Sequence, residues 1–203
     1  MAGVHRNNKR TLSPLKRARI IHAGKAIFLS EGFGAASMDK IAARAGVSKM
    51  TIYRHFNSKE ELFAGVIDAL CQSIIDDNLE QMLALPPRVA LPQLARRIVD
   101  IIFAPETIEL HRIVIAESRR FPKLGRLFYR TGPEGCIEML EQYLRHHRGA
   151  SHAKMPSPRR LAEEFLDLVR GYPHLRILLG IDKRPSEAEI RSRIDSAIRH
   201  VLG

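Results

Sequence analysis

The stretch Ser37–Phe56, SMDKIAARAGVSKMTIYRHF, decides the fold: it reads as a helix, a four-residue turn and a second helix. In its first half Ile41, Ala42 and Ala45 recur at helical spacing, and Gly46 follows where a tight corner needs a left-handed residue. Val47 then plugs the corner. Ser37 and Ser48 stand ahead of the two helical runs, where a hydroxyl accepts from the unpaired N–H groups of a first turn. Ile52 and Phe56, four residues apart, form the buried seam of the second helix, flanked by Tyr53 and His55. Met50, Thr51 and Arg54 turn away from that seam. This outward set suits a major groove. Thr51 can bond a base edge, Met50 can touch a thymine methyl, and Lys49, Tyr53 and His55 can hold phosphates or bases. Asn57–Glu61 closes the helix and opens another through a capping box of Ser58 with Glu61.

These residues resemble the DNA-binding domain of TetR-family transcriptional regulators. The shared pattern is a Ser-capped helix from Ser37, the turn Ala45-Gly46-Val47-Ser48, a recognition helix ending in Tyr53–Phe56, and then Ser58-Lys59-Glu60. Upstream, Ala26–Leu29 and Glu31-Gly32-Phe33 are similar to the end of the family's first helix. Met50 departs from the pattern, since many members carry Gly there. The resemblance covers about the first third of the chain. A weaker likeness, Ala116–Pro122 with Leu124 and Phe128-Tyr129, is to the ligand-binding domain of one TetR subgroup.

Charge agrees with a reader of polyanions. The 203 residues carry a formal net charge of +11, and the segment through Glu60 holds twelve Lys and Arg against three Asp and Glu. No run of apolar residues is long enough to span a bilayer, and the basic N-terminus lacks the apolar segment of a signal peptide, so a cytoplasmic protein without membrane contact is expected. Cys71 and Cys136 are isolated thiols without metal spacing.

Strand signals are nearly absent and helical spacing recurs throughout, so the chain reads as all-α. Residues 1–12 read as a flexible basic arm, 13–59 as the helix-turn-helix domain, and 60–203 as a helical ligand-binding and dimerisation domain. The first helix is expected from Pro14 to Ser30, and an unbroken helix from Glu60 to about Leu85 carries one domain into the other. Beyond it, prolines separate helices of moderate length. The last two span Ser157 to about Gly180 and Ser186 to Leu202. The final one carries a Ser186–Glu189 capping box and the stripe Ile190, Ile194, Ala197, Ile198, Val201. Such a stripe fits a monomer core as well as an interface. The resemblance implies that these two helices pair with a second copy in a four-helix bundle, and Pro173 is expected to kink the penultimate one.

Enzyme signatures do not assemble. Gly32-Phe33-Gly34 lacks the strand and third glycine of a dinucleotide loop, and neither a phosphate loop, a nucleophile elbow nor an HExxH pair occurs. His146, His147 and His152 flank a loop without Cys or carboxylate partners, so no metal site is expected. Glu163, Glu164 and Asp167 sit at ion-pairing distance along a helix from Arg159, Arg160 and Arg170. Phe103, His111, Phe128 and Phe165 are candidates for lining an apolar pocket. The expectation is a homodimeric regulator, a repressor that a small apolar or amphipathic effector releases from a palindromic double-stranded DNA operator. Ser37, Tyr53 and Lys59 would hold phosphates, and Lys49, Met50, Thr51 and His55 would read bases. No cofactor is expected. The alternative is an architectural or cell-cycle factor of the same fold that binds DNA without an inducer.

Overall fold

A computed structural model describes residues 13–72, 79–147 and 156–203. The expected basic arm, residues 73–78 and the loop that holds His152 lie outside the described residues. Every regular element among the described residues is helical. The order is α1 (Pro14–Ala35), α2 (Met38–Ala45), α3 (Lys49–His55), α4 (Lys59–Cys71), α5 (Leu79–Leu83), α6 (Pro87–Ile102), α7 (Pro105–Glu117) and α8 (Pro122–Tyr129). A π-helical turn, Arg130–Glu134, then leads into α9 (Gly135–His147), followed by α10 (Pro158–Leu178) and α11 (Glu187–Leu202).

Caps set most of the boundaries. Ser13, Ser37, Ser48, Ser58, Ser157 and Ser186 each accept a first-turn N–H, satisfying donors that would otherwise lack partners. Ser186 and Glu189 close the full reciprocal box. At Ser58 only half of the expected box forms. Glu61 reaches one residue further back, where its carboxylate accepts from the backbone N–H and side-chain amide of Asn57.

Prolines behave in two ways. Pro105, Pro122 and Pro158 open helices, where the absent N–H has no intrahelical partner to lose. Pro92 and Pro133 instead sit inside helical structure, so they do not separate elements as the sequence suggests. Around Pro133 the chain relaxes into the π-helical turn, the usual accommodation of an interrupted hydrogen-bond ladder. In α10 the break falls at Gly171, which takes φ 52° and ψ −168°, two residues before Pro173. A residue with a Cβ resists that conformation, and the glycine therefore absorbs the bend. The first helix likewise runs past Ser30 and bends at Gly32. The continuous helix expected from Glu60 to Leu85 is described as α4 and α5, the junction between them lying outside the described residues.

Two apolar cores hold the chain. One joins α1–α4 through Ile20, Phe28, Phe33, Ile41, Ile52 and Phe63, and it continues past residue 59 into α7 and α8 through Leu110, Val114 and Leu124. The other joins α5, α6, α9, α10 and α11 around Leu94, Ile98, Leu140 and Phe165. The α11 stripe of Ile190, Ile194, Ala197 and Val201 is buried in this second core, so it is not the free face that the bundle expectation needs. Leu168, Tyr172 and Leu175 of α10 and Leu179 at its C-cap remain exposed instead, Tyr172 by 80%.

The bend in α10 delivers His174 into the interior, where its Nε2 lies 3.2 Å from Nδ1 of His111 on α7. Burial chiefly, then His174 and Arg170 for His111 and Arg170 for His174, lowers both imidazoles to about 4, so above that pH the folded chain holds the pair neutral. Unfolded histidines protonate near pH 6.5, and the unfolded chain therefore binds more protons from about pH 6.5 down to about 4, the window in which stability is lost. Melting temperature is expected to fall less steeply across that window in His174→Gln than in the parent chain. Parallel curves would exclude the pair as a source of acid sensitivity.

Candidate functional site

The α2–α3 corner is built locally. Gly46 takes φ 62°, and the N–H groups of Gly46 and Val47 close the end of α2 on the carbonyls of Ala43 and Ala42 at 3.1 and 3.0 Å. From α1, Arg19 adds hydrogen bonds to the carbonyls of Ala45 and Gly46 at 2.6 and 3.3 Å. At φ 62° a side chain is strained, and a Cβ at Gly46 would also lie 2.5 Å from that guanidinium, so the corner favours glycine. Lys49 is paired with Asp39 at 2.9 Å, which straps the start of α3 to α2. Ile52 and Phe56 are buried beneath, as their spacing requires.

On this frame Met50 is 71% and Tyr53 41% exposed, and Lys49 and Arg54 also face outward. Thr51 is half-buried, with its hydroxyl 2.8 Å from that of Ser48 inside the α3 cap. Ser37 caps α2 and accepts from the N–H of Lys40 at 3.2 Å. His55 is half-buried, and burial, then the charges of Arg17, Lys16 and Arg54, lowers its pKa. Lys59 points inward, and its ammonium donates to the carbonyls of Phe33, Gly34 and Ala36 at 2.6, 3.2 and 2.8 Å. Three bonds saturate an ammonium, so Lys59 serves the fold where a phosphate contact was expected.

The outward basic side chains that spacing alone undervalued are Arg54 and Arg44. Neither has a carboxylate partner among the described residues; Arg54 is on the exposed side of α3, and Arg44 is exposed beside Ala18, Arg19 and His22 of α1. The helical angle of Arg54 already pointed to it. Arg44, in the last turn of α2, had no local signal apart from its charge.

Behind the reader lies a cavity of about 320 Å³, within the size range of small-molecule sites. Its walls are Ile67, Leu70 and Cys71 of α4, Ile98, Ile101 and Ile102 of α6, Thr107 and His111 of α7, Phe128 and Tyr129 of α8, and the turn at Gly132 and Pro133. Cys136 and Ile137 of α9 and Leu166 of α10 complete them, with Glu163, Asp167 and Arg170 as the charged groups. Of the four side chains expected at a pocket, His111 and Phe128 line it, whereas Phe103 and Phe165 are buried in the neighbouring core. The two cysteines, far apart in sequence, meet on one wall. Burial chiefly, then Cys136 and Asp68, pushes the Cys71 thiol up to about 12, which makes it an apolar lining group and a poor nucleophile. Glu163, Glu164 and Asp167 pair with Arg159, Arg160 and Arg170 along α10, as their spacing implies.

Cavity and reader share structure. The first two turns of α4 supply Leu62, Phe63 and Val66 to the reader's core, and its remainder walls the cavity. At the far end of α7 from the cavity, Glu117 accepts from the Gly34 N–H at 3.0 Å, while the Phe121 ring packs edge-on against Phe33 at 5.1 Å. Lys59 lies over the same two rings, 4.6 Å from Phe33 and 5.7 Å from Phe121.

A helix-turn-helix presented on one end of a helical module with an apolar cavity defines a DNA-binding regulator class. Two family profiles match: "Bacterial regulatory proteins, tetR family" over residues 20–66, and "AefR-like transcriptional repressor, C-terminal domain" over 89–203. The chain belongs to the TetR family of transcriptional regulators. Among solved structures it is similar to the "Flavonoid-responsive Regulator FrrA", 39% identical, with a TM-score of 0.72 over 94% of this chain and 96% of that one. A TetR-family regulator from Mesorhizobium loti is 30% identical, with a TM-score of 0.70 over 92% and 95%. Among curated relatives, the transcriptional activator FasR of Mycolicibacterium smegmatis is 38% identical over 36% of this chain and 34% of its own length. BetI of Rhizobium meliloti is 31% identical over 57% and 58%. The chain thus spans about a third of the length of FasR and about three-fifths of that of BetI.

Lys59→Met leaves the Phe33, Gly34 and Ala36 carbonyls without their shared donor and is expected to cost about 1–3 kcal/mol in denaturant unfolding, the range for leaving a buried polar group unsatisfied. The salt dependence of DNA binding is expected to stay as in the parent. A lower salt slope at unchanged stability would return Lys59 to the phosphate-binding set.

Proposed function

We propose that the chain is a cytoplasmic, homodimeric repressor that leaves a palindromic operator when a small apolar or amphipathic molecule fills the cavity. The observation that carries this reading is the double role of α4, whose Leu62 and Phe63 stand in the reader's core while Ile67, Leu70 and Cys71 line the cavity. A ligand that favours a shifted position of α4 therefore changes the setting of α3. Met50, Tyr53, Arg54 and Lys49 form the face offered to the major groove, with Thr51 at its inner margin. Ser37 and Arg44 hold phosphates.

The exposed row of Leu168, Tyr172 and Leu175 of α10 with Leu179 at its C-cap is the surface on which a second copy would pack. Two readers joined there would enter successive major grooves roughly 34–36 Å apart. The AefR-like profile favours repression. Similarity to a regulator described as flavonoid-responsive makes flavonoids the first compounds to test against this mostly aliphatic and aromatic cavity.

Selection of bound sequences from random duplexes is expected to return a palindrome. Arg44→Ala is expected to weaken its binding and lower the slope of log K against log salt by about one for each phosphate no longer held. A flavonoid that raises the melting temperature should bind less tightly to the operator complex, by about 1–3 kcal/mol of coupling. Equal ligand affinity with and without operator would overturn release by ligand.

A further inference from the structure

From Arg119 to Arg130 the chain carries five cations, Arg119, Arg120, Lys123, Arg126 and Arg130, and no carboxylate. All five are exposed. Lys123, Arg126 and Arg130 recur at i, i+3 and i+7, which places them on one face of α8 and the turn that continues it. Among the described residues none of the five forms an ion pair, whereas Arg96, Arg159, Arg160 and Arg184 of the same module each hold a carboxylate. An unpaired row of like charge opposes compaction and attracts a polyanion.

The row begins at the reader. Arg120 lies over the Phe121 ring, its Cζ 5.2 Å from the centroid, and the Lys59 ammonium lies 5.7 Å from the centroid of the same ring. Lys59 in turn holds the Ala36 carbonyl, immediately before the α2 cap at Ser37. Glu117, the carboxylate nearest this junction on α7, is engaged by the Gly34 N–H. The cations therefore continue from beside the start of α2 along α8.

We propose that this row is a second contact surface for duplex DNA, holding backbone phosphates that flank the palindrome beyond the segment read by α3. The inference rests on the operator-binding reading above and extends its footprint. Four of the five cations are arginines, which present a planar fork to phosphate oxygens. Contacts of this kind carry no sequence information, so the row adds affinity and salt dependence without changing the preferred sequence.

The test uses the full chain and two duplexes: the selected palindrome alone, and the same palindrome lengthened with mixed sequence by about one helical turn, roughly 10 bp, on each side. Two variants are compared with the parent, Arg119→Gln/Arg120→Gln/Lys123→Gln and, leaving the Phe121 stack intact, Lys123→Gln/Arg126→Gln/Arg130→Gln. The parent is expected to bind the longer duplex several-fold more tightly and with a steeper salt slope. Both variants should bind the short duplex as the parent does and lose the advantage of the flanks, with the slope falling by about one per phosphate released. No advantage of the longer duplex in the parent would overturn the proposal, as would an advantage that the variants retain or equal weakening on both duplexes. A row made for a protein or lipid partner gives the retained advantage or none. If no palindrome is bound at all, the operator reading fails, and this inference with it.

Discussion

The ammonium of Lys59 is the group on which the arrangement of the reader depends. The break of α1 at Gly32 leaves the carbonyls of Phe33, Gly34 and Ala36 outside any helical ladder, at a site partly removed from solvent. Unpaired carbonyls there would each cost free energy comparable to an unmade hydrogen bond. One lysine at the start of α4 supplies all three donors, with its charge over the faces of Phe33 and Phe121. Burial lowers its pKa, while Glu60 and Glu117 oppose that shift. The result fixes where α1 ends, where α2 begins and how α4 leaves the reader.

Three elements meet at that point, and this gives the two modules a common mechanical boundary. The corner from Gly32 to Ala36 is held by α4 through Lys59 and by α7 through Glu117, with Phe121 beneath it. The same α4 and α7 wall the cavity through Ile67, Leu70 and His111. Close-packed interiors respond to a change of contents by shifting between discrete arrangements more readily than by local give. A ligand that repositions either helix acts on the reader's core and on its α1–α2 corner together.

The sequence made the reader legible because its signals are local. Serine caps, the glycine of the corner and the Ile52–Phe56 seam each act within four residues, and all appear in the structure as their chemistry dictates. What escaped depends on groups brought together from a distance. Lys59 sits where a charge beside DNA is a natural reading, and nothing near it in sequence announces the carbonyls 23 to 26 residues upstream. Cys71 and Cys136 read as isolated thiols and share a wall. The α11 stripe has the periodicity of an interface and that of a core, and only packing against α6 and α10 decides for the core. At Pro173 the expectation of a bend holds, but the neighbouring glycine takes it.

If the reader is anchored as described, it belongs to the same cooperative unit as the helix that carries the cavity. Native-state hydrogen exchange of the intact chain measures this most directly, since it gives an opening free energy for each amide. The protected amides of α2 and α3 are expected to open together with those of Leu62–Val66 in α4, at one common free energy. Exchange of α2 and α3 through a separate, far easier opening while α4 remains closed would contradict it.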